Sequence, residues 1–194
     1  MLGNGDGTFR PPLTYAAGNQ ADFVAVGDFN GDGKPDLAVA HSCCEAGGNV
    51  SILLGNGDGT FQPQVTYSAG GYPTALAIGD SNGDGKLDLA VANGEDYSVS
   101  ILLGNGDGTF QRQVTYPAGR YPTSVAVRDF NGDGKLVLLG NGDGTFQYPM
   151  GFSTDYNPVG VAVGDFNLDG KPDLAVGTDY SVSLLTNTTP AAPE

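Results

Sequence analysis

The chain has 194 residues and carries 22 Asp and Glu against 8 Lys and Arg, for a formal net charge of −14. Eight basic residues neither offset that field nor form a stripe, which excludes nucleic acid as a partner. No run of about 18 apolar residues exists, so no membrane insertion by a helix is expected, and 32 Gly with 12 Pro favour short strands joined by tight turns.

Met1 is followed at once by Leu2-Gly-Asn-Gly-Asp-Gly-Thr-Phe9, with no basic and apolar leader, so a signal peptide is expected to be absent from this chain. A strand is predicted near Leu13-Thr-Tyr15, and a second at Phe23-Val-Ala-Val26. The acidic loop Asp28-Phe-Asn30-Gly-Asp32-Gly33-Lys34-Pro-Asp36 follows, then strands Leu37-Ala-Val-Ala40 and Val50-Ser-Ile-Leu-Leu54. Gly55-Asn-Gly-Asp-Gly-Thr-Phe61 is dense in residues that tolerate positive φ and reads as a turn into a fourth strand ending at Tyr67. The whole unit repeats: Ala75-Leu-Ala-Ile78, loop Asp80-Ser-Asn82-Gly-Asp84-Gly85-Lys86-Leu-Asp88, strands Leu89–Ala92 and Val99–Leu103, and a fourth strand ending at Tyr116.

The third copy has Ser124-Val-Ala-Val127 and the loop Asp129-Phe-Asn131-Gly-Asp133-Gly134-Lys-Leu-Val137. From loop to turn it spans 11 residues, Asp129 to Gly140, where the second copy spans 24, Asp80 to Gly104. Its second and third strands read as fused into Lys135–Leu139, which predicts a truncated or distorted unit. The fourth copy has Val159–Val163, loop Asp165-Phe-Asn167-Leu-Asp169-Gly170-Lys171-Pro-Asp173, and strands Leu174–Gly177 and Val182–Leu185. Residues 1–186 thus read as one repeat domain, with a Thr/Pro/Ala-rich tail or linker over 187–194.

Of 19 Asp, 15 sit at fixed places in the repeat, which points to positional roles and away from a disordered tail. Oxygen side chains at loop positions 1, 3, 5 and 9, with glycine at 6 for the sharp turn, suit a hard cation. Calcium takes six to eight oxygens, whereas magnesium demands near-octahedral geometry and keeps its waters. An EF-hand is excluded, because position 12 is Val39, Val91 or Val176 inside a strand, where that motif needs a bidentate Glu and a helix. Four bound Ca²⁺ would bring the net charge from −14 to −6, and three to −8, so folding and metal binding are expected to be coupled.

Four short antiparallel strands in about 50 residues, repeated, describe an all-β fold, a β-propeller of about four four-stranded blades with blade three truncated, or a fragment of a larger propeller. The paired motifs Val26-Gly-Asp-Phe-Asn-Gly-Asp-Gly-Lys-Pro-Asp-Leu-Ala-Val-Ala40 and Leu53-Leu-Gly-Asn-Gly-Asp-Gly-Thr-Phe61 resemble the FG-GAP/VCBS repeats, the family of the integrin α-chain propeller and of many large secreted bacterial proteins. The resemblance implies a calcium-stabilised propeller at an extracellular or cell-surface location, with an adhesive role. Propellers of this family commonly have seven blades. Either the strand near Leu13 completes the last blade, or an open arc results.

Carried over residue by residue, the implied ligands are Asp28, Asn30, Asp32 and Asp36; Asp80, Asn82, Asp84 and Asp88; and Asp165, Asn167, Asp169 and Asp173. The carbonyls of Lys34, Lys86 and Lys171 would add to them, with the lysine side chains pointing into water. The third site, Asp129, Asn131 and Asp133, lacks its ninth-position carboxylate and should bind most weakly, giving three to four ions per chain.

The Gly-Asn-Gly-Asp-Gly segments read as turns, since each has one carboxylate and no P-loop Lys or Ser partner. Tyr72, Tyr97, Tyr121 and Tyr180 lie in connecting segments and read mainly as packing between blades, with ligand stacking the alternative. Cys43 and Cys44 are adjacent and form no structural staple, and His41, the only histidine, reads as a loop polar residue. No catalytic constellation is present: a nucleophile–base triad has one His to draw on, and the paired carboxylates belong to the cages. The expectation is a non-catalytic module that binds a protein or glycan; the alternative is a lectin-like or accessory domain of a secreted carbohydrate-active enzyme.

Overall fold

The computed structural model of the chain describes residues 5–43, 47–118, 120–128 and 158–188. Among them there is no helix, and eleven strands form three antiparallel sheets. The first sheet runs in the order β1 (Ala21–Gly27), β2 (Asp36–Cys43), β3 (Gly47–Leu53), β4 (Val65–Ser68). The second repeats it as β5 (Pro73–Gly79), β6 (Asp88–Asn93), β7 (Ser98–Leu102) and β8 (Val114–Pro117). The third has three strands, β9 (Pro158–Gly164), β10 (Asp173–Thr178) and β11 (Val182–Leu185), with β10 central. These are propeller blades, and among the described residues they do not close into a ring.

Each blade follows from its sequence in the same way. β-Branched residues at alternate positions suit a pleated surface, and the register is fixed because both faces are used. Val50 pairs with Ala40 and Tyr67, and Ile52 with Ala38 and Val65, so one face of blade one gathers Ala38, Ala40, Val50 and Ile52. That face packs on Leu89, Val91 and Leu102 of blade two, with Phe29 and Phe110 sealing the loop end of the seam. Phe110 meets Phe29 and Tyr67 edge-on, each at 5.6 Å between centroids, a favoured aromatic geometry. The opposite face of blade two, with Ala90, Val99 and Ile101, is covered by Val125 and Val127.

Two expectations change here. Ser124–Val127 packs as a first strand would, yet residues 122–128 form no strand ladder. The shortened repeat removes much of the chain that pairs with β1 and β5 in the complete blades. The fused strand at 135–139 lies outside the described residues, as does Cys44. His41 is a buried strand residue of β2 rather than a loop residue: its Nε2 lies 3.0 Å from Ser51 Oγ, and Nδ1 is buried without a partner. Cys43 closes the same strand.

Residues 5–20 form no strand in the sheets and lie against blade one. Tyr15 packs edge-on against Phe61 at 5.3 Å, Gly18 abuts the His41 ring, and Ser42 N donates to the Gln20 carbonyl at 3.3 Å. The same contacts recur one repeat later, where Tyr67 packs on Phe110 and Gly70 abuts Asn93.

Candidate metal loops

The pairings Gly27↔Asp36, Gly79↔Asp88 and Gly164↔Asp173 put each acidic loop at the same end of its blade. The Tyr72 and Tyr97 turns of blade two lie at the other end, since Pro73 pairs with Asn93.

Inside each loop the first-position carboxylate accepts backbone amides from across the bend. Asp28 takes Asp32 N at 3.1 Å and Gly33 N at 2.8 Å; Asp80 takes Asp84 N at 3.1 Å and Gly85 N at 2.7 Å; Asp165 takes Asp169 N at 3.1 Å and Gly170 N at 2.8 Å. The third-position Asn30, Asn82 and Asn167 each accept the fifth-position amide at 3.0 Å. The fifth-position Asp32, Asp84 and Asp169 accept the seventh-position amide at 2.9–3.0 Å. These bonds coil the chain tightly, and the sixth-position Gly33, Gly85 and Gly170 take φ of +78°, +81° and +84°, a region open to glycine at no steric cost. At the fourth position Gly31 and Gly83 are also left-handed, and Leu168 is forced into the same region at φ 63°.

The ninth-position aspartates behave differently. Asp36, Asp88 and Asp173 are 0, 2 and 1 % exposed. One oxygen of each accepts the second-position amide: Phe29 N at 2.9 Å, Ser81 N at 2.8 Å, Phe166 N at 3.0 Å. The other reaches the end of the third strand: Gly55 N at 2.7 Å, Gly104 N at 2.8 Å, Asn187 N at 2.7 Å. The Ser81 hydroxyl also donates to Asp88. Burial pushes the Asp88 carboxyl up, opposed by the bonds from Ser81 and Gly104. Among the described residues no three His, Cys, Asp or Glu are gathered around one point. These carboxylates brace the loop against the turn, a role that spacing alone did not reveal. Its one sequence trace is the glycine at 55 and 104, where a Cβ would strike the Pro35 or Leu87 carbonyl.

The lysines also differ from expectation. Lys34 Nζ lies 3.0 Å from Asp32 and Lys86 Nζ 3.5 Å from Asp84, instead of pointing into water. A flexible ammonium two residues from a carboxylate is within reach of it and is drawn to its charge. The Lys34 bonds and charge hold Asp32 below the usual carboxylate range. Asp84 is also lowered: slight burial acts upward, and bonds from Lys86 N and Asn82 with the Lys86 charge outweigh it.

The donor set fits calcium. Positions 1, 3 and 5 offer hard carboxylate and amide oxygens, and an oxygen that accepts one amide keeps lone-pair capacity. The third site, Asp129, Asn131 and Asp133, lies outside the described residues.

The second motif is a turn, as expected: Asp58 and Asp107 each accept the amide of the Thr two residues on at 2.9 Å, and its hydroxyl as well. Gly108 N donates to the Phe29 carbonyl at 3.0 Å, so the turn of blade two is bonded to the loop of blade one.

A family model described as FG-GAP-like repeat matches residues 1–39, 28–91, 80–139 and 136–176. The chain belongs to the FG-GAP-like repeat family. Its four matches follow the four acidic loops in phase, each spanning one loop or running from one loop to the next. Compared with curated proteins, the chain finds no significant match.

Proposed function

We propose that this FG-GAP repeat chain is a calcium-binding extracellular module with a structural and adhesive, non-catalytic role. The observation that carries the reading is the threefold recurrence, at equivalent ends of three blades, of one loop geometry with the same oxygen donors. Asp28, Asn30 and Asp32, Asp80, Asn82 and Asp84, and Asp165, Asn167 and Asp169 would hold the ions, joined by the carbonyls of Lys34, Lys86 and Lys171. The ninth-position carboxylates would serve through whatever lone pairs their brace leaves. Bound calcium supplies charge neutralisation and a rigid bend. Because loop one is bonded to the turn of blade two, ordering it also steadies the seam between blades.

The other end of the blades is where a protein or glycan would be met. Tyr72, Tyr97 and Tyr121 are half-exposed and adopt φ of 50–55°, and the Tyr72 and Tyr121 rings lie 6.5 Å apart. Rings held outward on strained backbone suit stacking on a ligand, which keeps the lectin-like reading as the second choice.

Thermal unfolding with and without calcium, beside metal counting, tests the reading. Three to four ions per chain are expected, each loop adding about 2.7 kcal/mol at a hundredfold excess over its Kd. A melting curve indifferent to calcium and to chelator would overturn it.

A further inference from the structure

Blades one and two hold the segment that precedes each of them with one clasp, built once from histidine and once from asparagine. In blade two the Asn93 side-chain carbonyl accepts Gly70 N at 3.0 Å, and its amide donates to Ser98 Oγ and Ser100 Oγ at 3.1 and 2.9 Å. Both ends of that side chain are satisfied, and an amide does not titrate. One repeat earlier His41 stands in the same register position, opposite Ala21 as Asn93 is opposite Pro73. Its Nε2 meets Ser51 Oγ at 3.0 Å, and Ser51 passes the contact on to Thr66 as Ser100 does to Thr115. Nδ1, by contrast, is buried with no partner among the described residues.

Gly18 lies where Gly70 lies and closes over that nitrogen: a Cβ there would stand 2.3 Å from Nδ1 and from Cε1. The segment is also held by Ser42 N on the Gln20 carbonyl and by Tyr15 on Phe61. The Ser42 bond has its counterpart in Gly94 N on the Tyr72 carbonyl at 2.8 Å. Such a cover suits the neutral ring alone. A protonated imidazole carries an N–H at both nitrogens. The one at Nδ1 would be buried without an acceptor, at a cost that lifting the segment removes. The surroundings offer little relief. Asp22 of β1 is the charged group acting on the ring, and its carboxylate already accepts the Ser42 hydroxyl at 2.8 Å. β3 presents Ser51 with Thr66 of β4 behind it, and residues 5–20 present Gly18, none of which titrates.

We propose that His41 is a pH-gated clasp: protonation of its ring lets residues 5–20 lift from blade one, while the Asn93 clasp of blade two stays shut. A released ring titrates near the ordinary 6.5, and burial holds the clasped ring below it. Opening therefore grows as pH falls through 6.5 toward the clasped value, and is negligible above it. Lifting uncovers the Phe61 ring and the His41 end of β2, surfaces that residues 5–20 cover at neutral pH.

Amide hydrogen exchange on the whole chain, at fixed free calcium and corrected for its intrinsic pH dependence, uses Ser42 N and Gly94 N as paired reporters. Between pH 7 and pH 5 the protection of Ser42 is expected to fall about fivefold, with Gly94 unchanged. His41→Asn should abolish the fall, and Asn93→His should transfer it to Gly94. Because the two variants lie in different blades and act in opposite senses, poor folding of one leaves the other decisive. A Ser42 amide indifferent to pH, or a fall shared equally by Gly94, would sink the proposal. So would a fall that survives His41→Asn, or a Gly94 amide still indifferent to pH in Asn93→His.

Discussion

Asp84 and Asp88 lie four residues apart in one loop, carry the same side chain, and are put to opposite uses. Asp84 is solvated and turned toward the loop's own amides and Lys86, while Asp88 is buried and joins the start of the loop to the end of the third strand. Position in the fold, not residue type, separates a carboxylate that can meet a cation from one that holds the blade together. The same division recurs between Asp32 and Asp36 and between Asp169 and Asp173.

Asp88→Ala tests the brace most severely. It leaves the buried Ser81 and Gly104 amides without their acceptor, and a cost of about 3 kcal/mol is expected in denaturant unfolding with chelator present. Asp84→Asn should do the reverse. In chelator it changes stability by less than about 0.5 kcal/mol, while metal counting shows one ion fewer and the calcium-dependent gain falls by one loop's share. If both variants lost the same ion and neither mattered without it, the distinction would vanish.

Leu168 sharpens the comparison at the level of backbone. It is 88 % exposed, so it contributes little packing, and it holds a left-handed conformation that Gly31 and Gly83 adopt in the sister loops. Leu168→Gly is expected to gain about 0.5–1 kcal/mol in chelator, the relieved strain exceeding the entropy that glycine adds to the unfolded chain. A loss would mean that the side chain holds something in place.

The smallest effect concerns His41. Burial holds its ring below the usual histidine value of 6.5, with the Asp22 charge opposing. A lowered folded pKa means the unfolded chain binds the extra proton first. Stability is complete above about pH 6.5 and lost as pH falls through that value toward the folded one. Melting temperature in chelator should therefore drop modestly between pH 7 and 5, and His41→Asn, the residue that Asn93 supplies at the same place in blade two, should flatten that slope.

Strands and loops were legible because they are local: β-branched runs set the ladders, and Asp spacing set the bends. The brace was not, since Asp36 meets Gly55 only after two strands have folded back, and nothing in a nine-residue motif encodes a partner nineteen residues away. Residues 5–20 read as a strand from Leu13-Thr-Tyr15, yet a strand needs a ladder partner and the described chain offers none. Ser124–Val127 fails as a strand for the same reason, although its apolar pattern suffices to pack it on blade two. The lysine ion pairs were not legible because an ammonium at the end of a flexible four-carbon stem leaves no mark in the spacing of the loop.

Lys34 lays its stem against the neighbouring turn at Gly57 and its ammonium on Asp32, and Lys86 repeats the arrangement at Gly106 with Asp84. A divalent ion taken up at Asp32 and Asp84 would compete with both ammonium groups for these carboxylates, and loading is then predicted to make two amines more reactive. An acylating label at high pH would then register occupancy without any spectroscopic signal from the metal.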